Sequence, residues 1–327
     1  MTLFLIRDPD TLLAVRFACS PVWETLAAVR TFVDESARAY HEPWHALVAE
    51  RTAHLDLAPL FALEPLRGYV PDFLTPPPRV PWPRLRDQLA EIGRTAPEQV
   101  AHELELCRRE VSDEGHRHQL ERLLADPEAA RDLIVTRIHE AWRALVAPFW
   151  LRIRTLLARD IEERSRTLAA RGLRATIDEL DARIRWTARG VTVATRDRDA
   201  VQVDERGLVL MPSVYLWPHV APVVQEPWQP TIVYPARGVA DLWQASSPAS
   251  DTLARLLGRT RALVLSSLQQ PLSTTVLAGL IEASPAGVSR HLLALRDAGL
   301  IAGTRHGHEI RYARTALGST LLRHCAR

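Results

Sequence analysis

The chain has 327 residues, 47% of them hydrophobic and 24% charged, which supplies enough apolar surface for a packed core and excludes general disorder. The net charge is only +2 but is unevenly spread. Residues 251–327 carry ten Arg against four acidic residues, a net +6, and the first 250 residues carry 31 Arg against 35 acids, a net −4. That asymmetry points to an anion-binding module behind a neutral-to-acidic domain. Every basic residue in the Lys+Arg count is Arg, and Asn is also absent, which reports GC-rich codons rather than function. Cys19, Cys107 and Cys325 lie far apart without CxxC spacing. This argues against a disulfide framework or a cysteine zinc site and for a reducing compartment. The opening MTLFLIRDPD is too short an apolar run for a signal-peptide core, and no later run spans a membrane, so a cytoplasmic protein with no membrane partner is expected.

Taken in order, residues 2–6 (TLFLI) read as a short strand, and Thr11 to about Val48 as helical, broken near Ser20-Pro21 and at Pro43. The stretch GYVPDFLTPPPRVPWPRL (68–85) cannot be regular helix, because each proline removes a donor and restricts its predecessor. It reads as an ordered loop with Tyr69, Phe73 and Trp82 seeking burial, and the alternative is a polyproline ligand for a partner. From about Pro83 to Glu179 helices dominate, with Ile134, Ile138, Trp142 and Leu145 at helical spacing and Pro148 expected to divide the run. After Leu180 the period changes to two, which predicts a small antiparallel sheet over about 182–235. The polar stretch QASSPAS (244–250) marks a domain boundary.

The remaining segment carries the clearest pattern. One helix is expected from Asp251 to about Leu268, with Leu253, Leu256, Leu257, Leu263 and Val264 inward. A short second helix from Ser273 follows, with Val276, Leu277 and Leu280 inward. Ser284 is a good N-cap and Pro285 suits the first helical position, opening a helix over 285–298. Val288, Leu292 and Leu295 then face the first two helices. Gly287, Ser289 and Arg290 are left toward solvent or a groove, with His291 at the edge, and Gly299 closes the helix. Residues 300–313 form a hairpin across Arg305-His306-Gly307-His308, where Arg305, His306, Arg311 and Arg314 could meet phosphates. A helix of this design followed by a basic hairpin suits duplex DNA, with Ser289 and Arg290 at base edges or phosphates.

Residues 251–325 resemble the winged helix-turn-helix of ArsR-type repressors, most closely at VSRHLLALRDAGLI (288–301) and RHGHEIRY (305–312). The resemblance implies a dimeric transcriptional repressor with one DNA-reading helix per half-site. By position, Ser289, Arg290 and His291 match the family's SRH triplet, and Arg311 and Tyr312 match the strand that closes the wing. Metal-sensing members carry a cysteine pair in the preceding helix. Here that helix reads LAGLIEA, without a thiol, so no metal or other cofactor is expected. The segments GYVPDFLTPPP and GLVLMPSVYLWP are also similar to an uncharacterised domain that precedes such modules in actinobacterial regulators.

Two other patterns are weighed against this. His41-Glu42-Pro43-Trp44-His45 matches the zinc-protease pattern HExxH, but Pro43 within the turn argues against both His sharing one helical face. His116-Arg117-His118 reads as helix surface. Nine Trp, all before residue 251, serve as core anchors or line an effector pocket, with 213–228 a candidate lid. The expectation is an α+β, predominantly helical protein. Residues 1–245 form a helical domain with a small antiparallel sheet, for dimerisation or for a small-molecule effector, and residues 251–327 form a winged helix-turn-helix. It is read as a homodimeric, non-enzymatic regulator that binds double-stranded DNA. The alternative is a small-molecule-binding protein or metal-dependent enzyme whose winged helix serves assembly only.

Overall fold

A computed structural model describes the chain except residues 7, 66–67, 196–198, 245–248, 269–270, 282, 307–308 and 326–327. The fold is α+β and predominantly helical, with three small sheets. Chain contacts divide it into two units, Met1–Phe149 with Leu156–Ala240, and Trp150–Thr155 with Asp241–Arg327. None of the described helices is long and apolar enough to cross a membrane.

Capping residues set the helix starts of the first unit. α1 (Pro21–Arg30) begins where the Ser20 hydroxyl accepts the Trp23 N–H at 2.9 Å, with Pro21 in the first turn. Asp34 caps α2 (Glu35–Tyr40), and α3 (Glu42–Thr52) and α4 (Ala58–Leu63) follow. Then come α5 (Leu85–Ile92), α6 (Pro97–Glu110), α7 (Glu114–Leu124) and α8 (Pro127–Ala141), the last two capped by Asp113 and Asp126. Pro148 divides the long helical run as its sequence requires. The backbone widens over Trp142–Val146, tightens over Ala147–Phe149, and resumes as α9 (Trp150–Asp178). Gly172, at φ 80°, interrupts α9 itself.

The proline-rich stretch has a single 3-10 turn, Asp72–Leu74, and is otherwise irregular from 68 to 84, after which α5 begins. Phe73 and Leu74 are fully buried, and the Glu103 carboxylate on α6 accepts the Phe73 N–H at 2.7 Å and the Tyr69 hydroxyl at 3.2 Å. Pro76–Pro78 are buried as well, so the segment is wall rather than a polyproline ligand.

The sheet expectation needs correction. Eight strands form two mixed four-stranded sheets: β1 (Thr2–Leu5), β2 (Arg16–Phe17), β3 (Ile184–Thr187), β4 (Gly190–Val193), β5 (Ala200–Gln202), β6 (Val209–Ser213), β7 (Ala221–Val223) and β8 (Thr231–Pro235). The orders are β3-β4-β1-β5 and β2-β6-β8-β7. The N-terminal strand β1 lies antiparallel to β4 and parallel to β5, β2 lies parallel to β6, and β6 is parallel to β8. Arg16–Phe17, expected to be helical, is therefore strand. Both β6 and β8 are buried along their whole length, the pattern of central strands covered on both faces. Gly190 lets β4 meet β1, since a Cβ there would lie 2.0 Å from the Phe4 carbonyl oxygen.

The chain passes from the first unit to the second within α10 (Val239–Gln244), and α11 (Ala249–Leu257) leads to α12 (Arg259–Ser267). The single helix expected over 251–268 is broken at Gly258, whose φ is 83°. The break changes the register, so Leu253 and Val264 are fully buried while Leu256 and Leu263 are 63% and 40% exposed. There follow β9 (Leu272–Ser273), α13 (Thr274–Leu280), α14 (Pro285–Asp297), β10 (Ile301–His306), β11 (Glu309–Arg314) and α15 (Ala316–Cys325). The three strands form one antiparallel sheet in the order β10-β11-β9. Val264, Leu265, Leu277, Val288, Leu292, Leu295, Ile301 and Tyr312 make its core. Each such aliphatic side chain contributes about 2 kcal/mol on burial. On α13, Leu277 and Ala278 point inward, whereas Val276 is 45% exposed, contrary to the expected stripe.

Candidate nucleic-acid interface

The geometry of α14 follows from three local devices. The Ser284 hydroxyl accepts the Gly287 N–H at 3.2 Å, and Pro285 fills a position whose N–H would have no helical partner. A Cβ on Gly287 would lie 3.1 Å from that hydroxyl, so the glycine first serves the cap. At the other end Gly299, at φ 69°, lets Leu300 N–H reach the Leu295 carbonyl at 2.9 Å while its own N–H bonds Arg296 at 2.8 Å. This is a Schellman closure, and Leu300 and Leu295 meet in the core as that motif favours. The chain therefore leaves α14 in a fixed direction and enters β10.

The faces of α14 separate the expected contact residues. Val288, Leu292 and Leu295 are buried at 0, 0 and 1% exposure. Successive residues step about 100° around a helix, so Ser289, Arg290 and His291 cannot share one face. Arg290 stands opposite the buried stripe and is exposed, whereas Ser289 and His291 lie half-buried on opposite flanks. The outward face carries Ala286, Arg290, Leu293 and Asp297, and Leu293 is 40% exposed. Sequence reading passed over Leu293, although it sits three residues after Arg290 and outside the buried stripe. Arg290 makes no hydrogen bond or ion pair among the described residues, while Arg296 is paired with Asp297 at 3.3 Å.

The β10–β11 ribbon sorts the remaining arginines. Directly opposed residues share a face, and the register sets Arg305 against Ile310, Thr304 against Arg311 and Ile301 against Arg314. Arg305 and Arg311 therefore occupy opposite faces of the ribbon. Both are at least partly accessible, and Arg311 Nε donates to Glu309 at 2.7 Å, which offsets its charge. Arg314, expected to meet phosphate, also holds a backbone contact. Its Nε donates to the Leu268 carbonyl at 2.7 Å, at the C-terminal end of α12, and burial lowers its pKa. It clamps the sheet to the first helix. His306 pairs with Glu309 in the backbone register. The rest of the expected turn, 307–308, lies outside the described residues.

The competing patterns behave as surface and core. His41 caps α3 from outside the helix, with φ −107° and ψ 14°. His41 and His45 are buried while Glu42 is exposed, so the three do not converge. His45 Nε2 lies 3.1 Å from the Thr31 hydroxyl, and burial, with the neighbouring His45, pushes the His41 imidazole down to about 3. Among the described residues no group of three or more His, Cys, Asp or Glu could hold a metal ion. His118 is exposed on the outer side of α7, whereas His116, one turn before buried Leu120, is half-buried, so the two do not converge. The candidate lid is anchored at Val214, Tyr215 and Val223, which are at most 1% exposed, while Trp217 within it is 38% exposed. The Val214 N–H is also held by both oxygens of buried Glu24 at 3.0 and 3.1 Å.

Comparison with known proteins reaches part of the first unit. Residues 90–240, less than half of the chain, are similar to a family of unknown function (DUF5937), and the match stops short of α11–α15. No curated protein and no solved structure matches the chain.

Proposed function

We propose that the C-terminal unit is a winged helix-turn-helix that reads duplex DNA, with α13 and α14 as the helix pair and β10–β11 as the wing. On this reading the protein is a sequence-specific transcriptional regulator, and a repressor if its site overlaps a promoter. The observation that carries the reading is the outward face of α14. Small residues at its capped start allow close approach to a groove, an uncommitted Arg290 can form a bidentate pair with guanine, and Leu293 can meet a thymine methyl group. The net +6 of residues 251–327 supports it independently. Exposed Leu256, Leu263 and Leu317 on α11, α12 and α15 support a homodimer, since a monomer leaves them in water.

The test is a binding titration of the full-length protein on fragments of its own genome, at several salt concentrations. Arg290→Ala should cost about 1–3 kcal/mol on the preferred site and relax preference at one base pair. Arg305→Ala should weaken all fragments alike and lower the salt slope by about 1. Binding that ignores salt, or a preferred site indifferent to Arg290→Ala, would refute the reading.

A further inference from the structure

The first unit holds a cavity of about 400 Å3 between the end of α2, the turn from α9 to β3, and the turn from β8 to α10. Tyr40, Trp217, Asp178, Asp181, Arg185 and Arg237 line it. Every lining residue belongs to the first unit. The volume lies within the range of small-molecule sites, about 300–1,000 Å3.

Two observations fix what it can take. The first is aromatic. Tyr40 and Trp217 stand with ring centroids 5.4 Å apart and planes tilted by 34°, and each is 38% exposed. Among the described residues Trp217 is the one exposed tryptophan, and it lies on a segment held from both sides. Its neighbour His219 pairs with Asp34 at 2.8 Å, and Arg183 donates to the Pro218 carbonyl. A partly exposed indole is therefore presented on a fixed wall.

The second is charge. The acids of the lining are already compensated: Asp181 by Arg183 at 2.6 Å, Glu179 by Arg171, and Asp178 by the Trp186 N–H at 2.7 Å with Arg174 at 4.0 Å. Arg237 is committed to Glu163 at 2.5 Å. Arg185 is the exception. Its Nη1 donates only to backbone carbonyls, of Asp178, Asp181 and Ile184, and among the described residues no acid lies within salt-bridge distance of it. The lining thus ends with one cation outside any salt bridge, near enough to lower the Asp181 pKa but bonded only to carbonyls, beside an exposed aromatic pair.

We propose that this cavity binds a planar aromatic carboxylate, with its ring against Trp217 and Tyr40 and its carboxylate on the Arg185 guanidinium. Guanidinium and carboxylate match as paired donors and acceptors, and the indole face adds the apolar contact. The site goes beyond the DNA reading and does not rest on it, because every group involved precedes residue 241.

Calorimetric titration of the full-length protein, without DNA, tests it. The probes are benzoate and indole-3-acetate, with benzamide, indole-3-acetamide and tryptamine as controls. The acids should bind at least about ten-fold tighter than their amides, and tryptamine should be weaker still, a ten-fold step being about 1.4 kcal/mol. Arg185→Gln and Trp217→Ala should each weaken the tighter acid by about ten-fold. Arg185 also caps three carbonyls, so if Arg185→Gln lowers the melting temperature, the acid-to-amide ratio on the unaltered protein and Trp217→Ala decide. Neither acid binding at millimolar concentration, amides equal to acids, or tryptamine preferred would overturn the proposal.

Discussion

Glu24→Gln should make the first unit more stable, and only above mildly acidic pH. Glu24 is 1% exposed, and its two oxygens accept the Val214 N–H at 3.0 and 3.1 Å. Burial outweighs those bonds and pushes its pKa up to about 8 from 4.5. A raised carboxyl pKa has a definite sign in the stability. Below about pH 4.5 the group is protonated in both states and costs nothing. Between there and about pH 8 the unfolded chain gives up the proton and the folded protein keeps it, so stability falls as pH rises. The slope is about 1.4 kcal/mol per pH unit, or roughly 5 kcal/mol across the window at full burial. Glutamine keeps an acceptor for Val214 and has no charge to bury. Urea unfolding of both proteins, followed by tryptophan fluorescence at steps from pH 4.5 to 8.5, should give equal stability at the acid end and a growing advantage for Glu24→Gln above it. Glu64, raised to about 7 by burial despite Arg30 at 3.5 Å, adds a second such slope to both proteins and cancels in the comparison. Parallel pH profiles for the two proteins would refute the assignment of Glu24 as a buried neutral acid.

Two further outcomes concern the second unit. Gly318→Ala places a Cβ 2.1 Å from the Leu300 carbonyl oxygen, forcing α15 away from the exit of α14. Overpacking of this kind costs about 1–3 kcal/mol, readable as a lower urea midpoint, and an unchanged midpoint would show that α15 does not pack there. Arg314→Ala and Arg311→Ala should separate structure from surface. The first removes the donor to the carbonyl of buried Leu268 and should cost about 1–3 kcal/mol, whereas the second should stay within about 0.5 kcal/mol in the same unfolding assay. Equal losses would remove the distinction drawn between the two arginines.

What could be read from the chain in advance was local. The Ser20-Pro21 and Ser284-Pro285 starts, the Gly299 closure, the division at Pro148 and the Val288/Leu292/Leu295 stripe each depend on residues within a turn or two of one another. Hydrogen bonding and helical spacing act over that range and leave a direct mark on the sequence. Leu256, Leu263 and Val276 were misplaced because one left-handed glycine, Gly258, reset the register and a short helix offered too few turns to define a stripe.

The rest was decided by partners distant along the chain. Strand β1 pairs with β4 from Thr2↔Val193 to Leu5↔Gly190, so an apparent single antiparallel sheet became two mixed ones. Arg314 finds an acceptor 46 residues away, a structural contact of this wing arginine that spacing alone does not show. The cavity beside Trp217 joins Tyr40 to residues 178–182, Arg185 and residues 235–239, and that Arg185 stays outside any salt bridge is visible only after every neighbouring acid has been matched to its own cation. Sequence determines which side chains are available and how each turn begins and ends. Which charges remain uncompensated, and which aromatic faces remain bare, depends on packing between elements whose order in the chain says nothing of their distance in space.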